Sequence, residues 1–205
     1  MELTAETFPA HALELAEQHP ELGAIVERWG VPSFWTRKPG LDALVKIILE
    51  QQISIAAADT IHRRLKAALG GMSARRLFDA GPEKLRTLGL TRQKSRYCYE
   101  LGRSIVERRL LLGKLAGMSD AEAIAALIEQ PGIGPWTASI YVMSALGRID
   151  VWPPGDLALR LGVAEILPNL VGDDLGDDGS RWHPRRAVAA RLVWHHYRQI
   201  RAKPT

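Results

Sequence analysis

Cysteine is all but absent from this 205-residue chain: Cys98 stands alone. A single cysteine excludes an intrachain disulfide framework, a cysteine-rich zinc site and a four-cysteine iron–sulfur cluster. No apolar run is long enough to cross a bilayer. The start, Met1-Glu2-Leu3-Thr4-Ala5-Glu6, has neither the basic nor the apolar region of a signal peptide. The expectation is a soluble, cytoplasmic protein with no membrane partner. Apolar/polar alternation is lacking as well, so no strand is predicted, and neither a repeat nor a low-complexity tract is present. His62, His195 and His196 show no metal-ligand spacing and are read as structural or surface residues. Val171–Ser180 lacks the alternating oxygen ligands of a calcium loop.

What is present is helical periodicity in a mildly basic, globular chain. Hydrophobic residues make up 46% and the formal net charge is +4, which permits a polyanion partner without requiring one. The length suits one large domain or two small lobes. Residues 9–18 and 21–29 read as short helices. Leu41–Ile53 carries so broad an apolar face that it must be central and buried. Ser54 is placed to cap the next helix, and Ser73 and Pro82 to open two short ones. Thr91 can cap a longer helix reaching Leu112. Ser119-Asp120-Ala121-Glu122 has the capping-box pattern. Helices are further expected from Pro135, from Asp156 and from about Pro184 to Ile200.

The most informative stretch is Pro131-Gly132-Ile133-Gly134-Pro135-Trp136-Thr137-Ala138, followed by Val151-Trp152-Pro153-Pro154-Gly155-Asp156. The first part joins helices within 119–146 into a helix-hairpin-helix. Its glycines allow a tight turn and close approach of the backbone to another group. Free N–H groups and the dipole at the start of the second helix favour an anion such as a phosphate. The second part is a stiff loop delivering one carboxylate. Asp156 can serve as an N-cap. An ionised carboxylate can also stabilise a sugar oxocarbenium ion or orient an attacking water. At about 4 Å and an effective dielectric near 20, the attraction is on the order of 4 kcal/mol, roughly a thousandfold in rate.

The hairpin, the Gly/Pro-rich loop and the Asp together resemble the helix-hairpin-helix/Gly-Pro-Asp superfamily of DNA glycosylases. Within it the chain is similar to the alkylation-repair branch, 3-methyladenine DNA glycosylase II, in the compact form without an N-terminal β domain. Supporting stretches are Ile48-Leu49-Glu50-Gln51-Gln52-Ile53-Ser54, Leu88-Gly89-Leu90-Thr91-Arg92-Gln93-Lys94, and Trp182-His183-Pro184-Arg185-Arg186 with Leu192-Val193-Trp194. The resemblance implies that Asp156 is the catalytic carboxylate. It implies DNA contacts from Gln51, Gln52, Ser54, Lys94, Gly132, Ile133, Gly134 and Thr137. Gln52 is the candidate to fill the gap left by a flipped nucleotide, where many relatives carry an apolar wedge. A monovalent cation on the hairpin carbonyls is a further implication; no cofactor is expected. Bifunctional relatives have a lysine at the position of Trp136, twenty residues before the Asp. Tryptophan there implies a monofunctional enzyme that uses water and leaves the strand uncut. Trp136 is either a stacking partner for a cationic base or a core residue. Trp35, Tyr141 and Trp152 are weaker pocket candidates.

The fold expected is all-α, with two helical lobes and a central cleft for the extruded base. Residues 43–151 would form one lobe, and 1–42 with 152–205 the other. The activity expected is excision of 3-methyladenine and 7-methylguanine from double-stranded DNA by a monomer. The alternatives are a same-fold enzyme for uracil, hypoxanthine or an oxidised purine, and a non-catalytic DNA-binding module.

Overall fold

The computed structural model describes residues 2–169 and 179–202. Ten α-helices run through them: α1 Phe8–Gln18, α2 Pro20–Trp29, α3 Leu41–Glu50, α4 Ile55–Ala68, α5 Ala74–Thr87, α6 Arg92–Val106, α7 Asp120–Ile128, α8 Pro135–Ser144, α9 Leu157–Ile166 and α10 Arg186–Arg201. The only strand-like pairing among the described residues is an isolated bridge between Glu2 and Arg148. The fold is all-α. The expected loop Val171–Ser180 lies, except for Gly179 and Ser180, outside the described residues. The chain divides into two compact units, Met1–Thr36 with Gly147–Thr205, and Arg37–Leu146. The divisions fall at 37 and 147, where 43 and 152 were expected. The Arg37 N–H donates to the Ser144 carbonyl at 2.8 Å, tying the residues ahead of α3 to the end of α8.

In the unit 37–146, α3 is the central element. Ala43, Leu44, Val45, Ile47, Ile48 and Leu49 are all buried, as its wide apolar face requires. It packs against α4, α6 and α8. Residues Thr137–Ser144 of α8 are also buried. Each Leu or Ile taken fully out of water contributes about 1.5–3 kcal/mol, so this pair of helices anchors the unit. The caps are those the sequence announces. Ser54, Ser73 and Thr91 accept from the N–H groups of Ala57, Arg76 and Lys94. Ser119 and Glu122 close a full capping box. Gly81 breaks α5 with φ +67°, and Pro82 restarts it. Two helices end sooner than their periodicity suggests: α3 at Glu50 rather than Ile53, and α6 at Val106 rather than Leu112.

In the other unit, α10 is the hub, packing against α1, α2 and α9. Residues Ala187–Val193 are buried. Asp150 fixes the start of α10: its carboxylate accepts from Arg186 Nε at 2.9 Å and from the Arg186 N–H at 3.2 Å. The same carboxylate meets His183 Nδ1 at 2.7 Å. The six residues that follow Asp150 end in Asp156.

Candidate active site

The hairpin turn forms where α7 gives way to α8, and the Ile133 N–H closes it on the Gln130 carbonyl at 3.0 Å. Gly132 has φ +85°, a left-handed conformation. A Cβ there would lie 2.2 Å from the Tyr97 ring, so glycine is required both by the turn and by the aromatic ring beneath it. Gly134 differs. Its φ is −88°, and a Cβ there would meet nothing within 4 Å. No internal contact demands glycine at 134. Gly134 is the N-cap of α8, which has Pro135 in its first turn and no side-chain cap. Such a helix start offers backbone donors and the positive end of a dipole to an anion. Ile133 is buried, whereas Gly134 and Pro135 are exposed.

Three residues expected to touch DNA are engaged inside this unit. Gln51 Nε2 donates to the Gly132 carbonyl at 3.0 Å and to Thr137 Oγ1 at 2.9 Å. Thr137 is itself buried. Lys94 Nζ donates to the carbonyls of Leu49 and Gln51 at 2.7 and 2.6 Å. Burial pulls its pKa below the usual lysine value. Lys94 therefore closes the end of α3 instead of standing free as a phosphate ligand. Of the carbonyls that could hold a monovalent cation, Gly132 O accepts from Gln51 and Gln130 O from Ile133. Gln52 is exposed and has φ +60°, strained for a non-glycine residue by about 1–2 kcal/mol. The exposed Ile53 and Ile55 flank it, with Ser54 as the cap of α4 between them. Tyr141 is fully buried and its hydroxyl accepts from the Gly40 N–H at 3.0 Å. It packs the core of the unit and presents no face to a base. Trp136 is partly exposed on the first turn of α8.

In the other unit, Val151, Trp152 and Pro153 are buried. Trp152 packs on Trp182 with ring centroids 5.3 Å apart, making it a core residue. Asp156 follows as the N-cap of α9. Its Oδ1 accepts from the Leu159 N–H at 2.9 Å and from Trp194 Nε1 at 3.1 Å. The carboxylate is thus fixed in orientation from two directions while remaining partly exposed. Trp194 also tilts against Trp35, with centroids 6.0 Å apart. Buried Arg191 lies over Trp35 at 4.8 Å and Phe34 at 4.9 Å, and its Nη2 donates to the Trp35 carbonyl at 3.2 Å. Burial lowers its pKa to about 10.

The sequence alone assigns no role to Trp194, Arg191 or Tyr97. An arginine between the apolar pairs Ala189-Ala190 and Leu192-Val193 was the one visible signal for Arg191. Nothing local marks the indole of Trp194 or the Tyr97 ring under Gly132, because Asp156 and Gly132 lie over thirty residues away in sequence. Two of the histidines make hydrogen bonds within their own unit. His62 Nε2 meets Asp42 Oδ1 at 3.1 Å, and His195 Nε2 meets the Trp29 carbonyl at 3.2 Å. The described residues contain no cluster of His, Cys, Asp and Glu able to hold a metal ion. Among them, no helix is long and apolar enough to cross a membrane.

Comparison with known proteins places this arrangement. The chain is 28% identical over 205 residues to the probable bifunctional transcriptional activator/DNA repair enzyme AlkA of Mycobacterium tuberculosis, covering 94% of this chain and 40% of that protein. It is 34% identical over 134 residues to the DNA-3-methyladenine glycosylase of Saccharomyces cerevisiae, covering 60% of this chain and 45% of that protein. It therefore spans less than half the length of these two relatives. The crystal structure of the DNA-3-methyladenine glycosidase from Bacillus halodurans matches it with a TM-score of 0.79 at 29% identity, over 92% of this chain and 89% of that one. The family model for HhH-GPD superfamily base excision DNA repair proteins matches residues 45–169, more than half of the chain. With its hairpin at 131–134 and its helix-capping Asp156, the chain belongs to the HhH-GPD superfamily of base excision DNA repair proteins.

Proposed function

We propose that this chain is a monofunctional DNA glycosylase that excises alkylated bases, 3-methyladenine and 7-methylguanine, from double-stranded DNA. The observation that carries this reading is the setting of Asp156, a partly exposed carboxylate held by Leu159 N–H and Trp194 Nε1. The names of the relatives support the substrate class.

N-alkylation places positive charge on the base and makes it a good leaving group without protonation by the protein. As the bond between C1′ and the base nitrogen lengthens, the bonding pair leaves with the base and the sugar becomes an oxocarbenium ion. The Asp156 carboxylate stabilises that ion and orients the water that adds to C1′; the water's proton passes to the carboxylate or to solvent. The products are a neutral free base and an abasic site. Trp136 has no amine, so it forms no Schiff base with the sugar, and the strand stays intact. Trp194, which donates to Asp156 and packs against Trp35, provides an aromatic surface suited to a cationic ring. The N-terminus of α8 at Gly134 receives a backbone phosphate.

The test is incubation of the purified protein with N-methylated duplex DNA. Release of free 3-methyladenine or 7-methylguanine, with strands cut only after alkali, is expected. Strand cleavage without alkali contradicts the monofunctional mechanism. Release from a uracil, hypoxanthine or oxidised-purine duplex, with none from the methylated one, contradicts the substrate class.

A further inference from the structure

The end of α3 is built differently from an ordinary helix C-terminus. Its last carbonyls are not left to solvent. Lys94, reaching across from the first turn of α6, takes the oxygens of Leu49 and Gln51 at 2.7 and 2.6 Å. The Gln51 side chain crosses to the hairpin and donates to Gly132 O and Thr137 Oγ1 at 3.0 and 2.9 Å. One turn beyond Lys94 on α6, the Tyr97 ring lies under Gly132. A single helix face thus braces both the residues before Gln52 and the turn at Gly132. Gln52 is exposed and held at φ +60°.

That angle measures how Gln52 is rotated against the Gln51–Gln52 peptide plane. The oxygen of that plane is the one Lys94 holds. Pinning the plane aims the Gln52 side chain, at a conformation an unrestrained glutamine would rarely adopt.

We propose that Lys94 and Gln51 are positioning residues for base extrusion. Lys94 sets the peptide plane that aims Gln52, and Gln51 locks that segment to the hairpin. Gln52 then enters the base stack in register with the phosphate gripped at Gly134. This rests on the glycosylase reading above. Preorganisation of this kind removes the cost of ordering the loop when DNA binds.

A double-mutant cycle tests it. Wild type, Lys94→Met, Gln52→Ala and the double variant are assayed in two ways. One is single-turnover base release from 7-methylguanine duplex. The other is fluorescence of a 2-aminopurine placed beside an abasic-site analogue, which reports unstacking without chemistry. Lys94→Met should lower base release about tenfold and suppress the fluorescence rise, as Gln52→Ala does. The double variant should fall within about twofold of Gln52→Ala alone. Lys94→Arg, which keeps donors for both carbonyls, should retain most of the rate.

Losses that multiply in the double variant would show that Lys94 acts independently of Gln52 and overturn the proposal. So would a Lys94→Met protein with wild-type rate and fluorescence. If Lys94→Met fails to fold, the Lys94→Arg and Gln51→Leu proteins carry the test. Gln51→Leu should then match Gln52→Ala in both readouts, and wild-type values for it would overturn the proposal. A wild type that releases no base but still raises the fluorescence would sink the substrate reading and leave this one standing. A wild type that does neither sinks both.

Discussion

Asp156 caps a helix and presents a carboxylate with the same side chain. The two roles share one oxygen: Oδ1 accepts from Leu159 N–H and from Trp194 Nε1. A hydrogen bond to a charged group contributes about 1.5–3 kcal/mol. Trp194→Phe keeps an aromatic ring against Trp35 and deletes the indole donor, so base release should drop about tenfold and the melting temperature by a few degrees. An unchanged rate would mean that the indole does not orient the carboxylate. His196 makes a separate prediction about stability. Trp29 Nε1 donates to its Nδ1 at 3.3 Å, which requires a neutral ring. Burial holds its pKa below the ordinary histidine value, against the opposing pull of Glu165. The unfolded chain takes up a proton near pH 6.5 while the folded ring resists it. The stabilisation is therefore complete above that pH and is lost as pH falls through the lowered folded value. The melting temperature should decline from pH 7.5 to pH 5, and His196→Phe should flatten that part of the decline.

At the scale of elements, the hairpin separates two glycines with different reasons to exist. Gly132→Ala places a methyl group on the Tyr97 ring at a positive φ. It should cost about 2 kcal/mol or more and lower the melting temperature. Gly134→Ala has room inside the protein. It should leave the melting temperature unchanged and weaken DNA binding several-fold, because the added methyl group would stand where the proposed phosphate contact is made. Reversed outcomes would mean that the phosphate is gripped elsewhere. The caps at Ser54, Ser73, Thr91, Ser119 and Asp156 were legible in the sequence because a cap is a bond over three residues. The true ends of α3 and α6 were not legible. Apolar periodicity continues to Ile53, but Lys94 draws off the carbonyls of Leu49 and Gln51, and Gln52 turns left-handed. Arg108, at φ +59°, turns the chain after α6 in the same way. The internal bonds of Lys94 and Gln51 are illegible for the same reason: their partners lie over forty residues away, where no local pattern records them.

At the scale of the whole molecule, the sequence carried the class and the family, because helical period, the hairpin wording and the carboxylate position survive without three-dimensional information. It could not carry the packing of Trp35 against Trp194 and Arg191, because Trp35 lies over 150 residues before them in the chain. The net charge of +4 and the backbone-led phosphate grip predict DNA affinity that falls as salt rises, from few contacts and hence with a modest slope. Binding titrations between low and physiological salt measure that slope, and salt-independent affinity would contradict a phosphate-centred grip. In the function proposed above, Asp156 drives hydrolysis of the base–sugar bond. The most direct test compares wild type with Asp156→Asn on N-methylated duplex DNA, because an asparagine oxygen can still accept from Leu159 and Trp194 and keep the fold. Free methylated base is expected from the wild type, with a loss of about a thousandfold in Asp156→Asn and DNA affinity retained by both. Equal base release by the two proteins would rule out that role for Asp156.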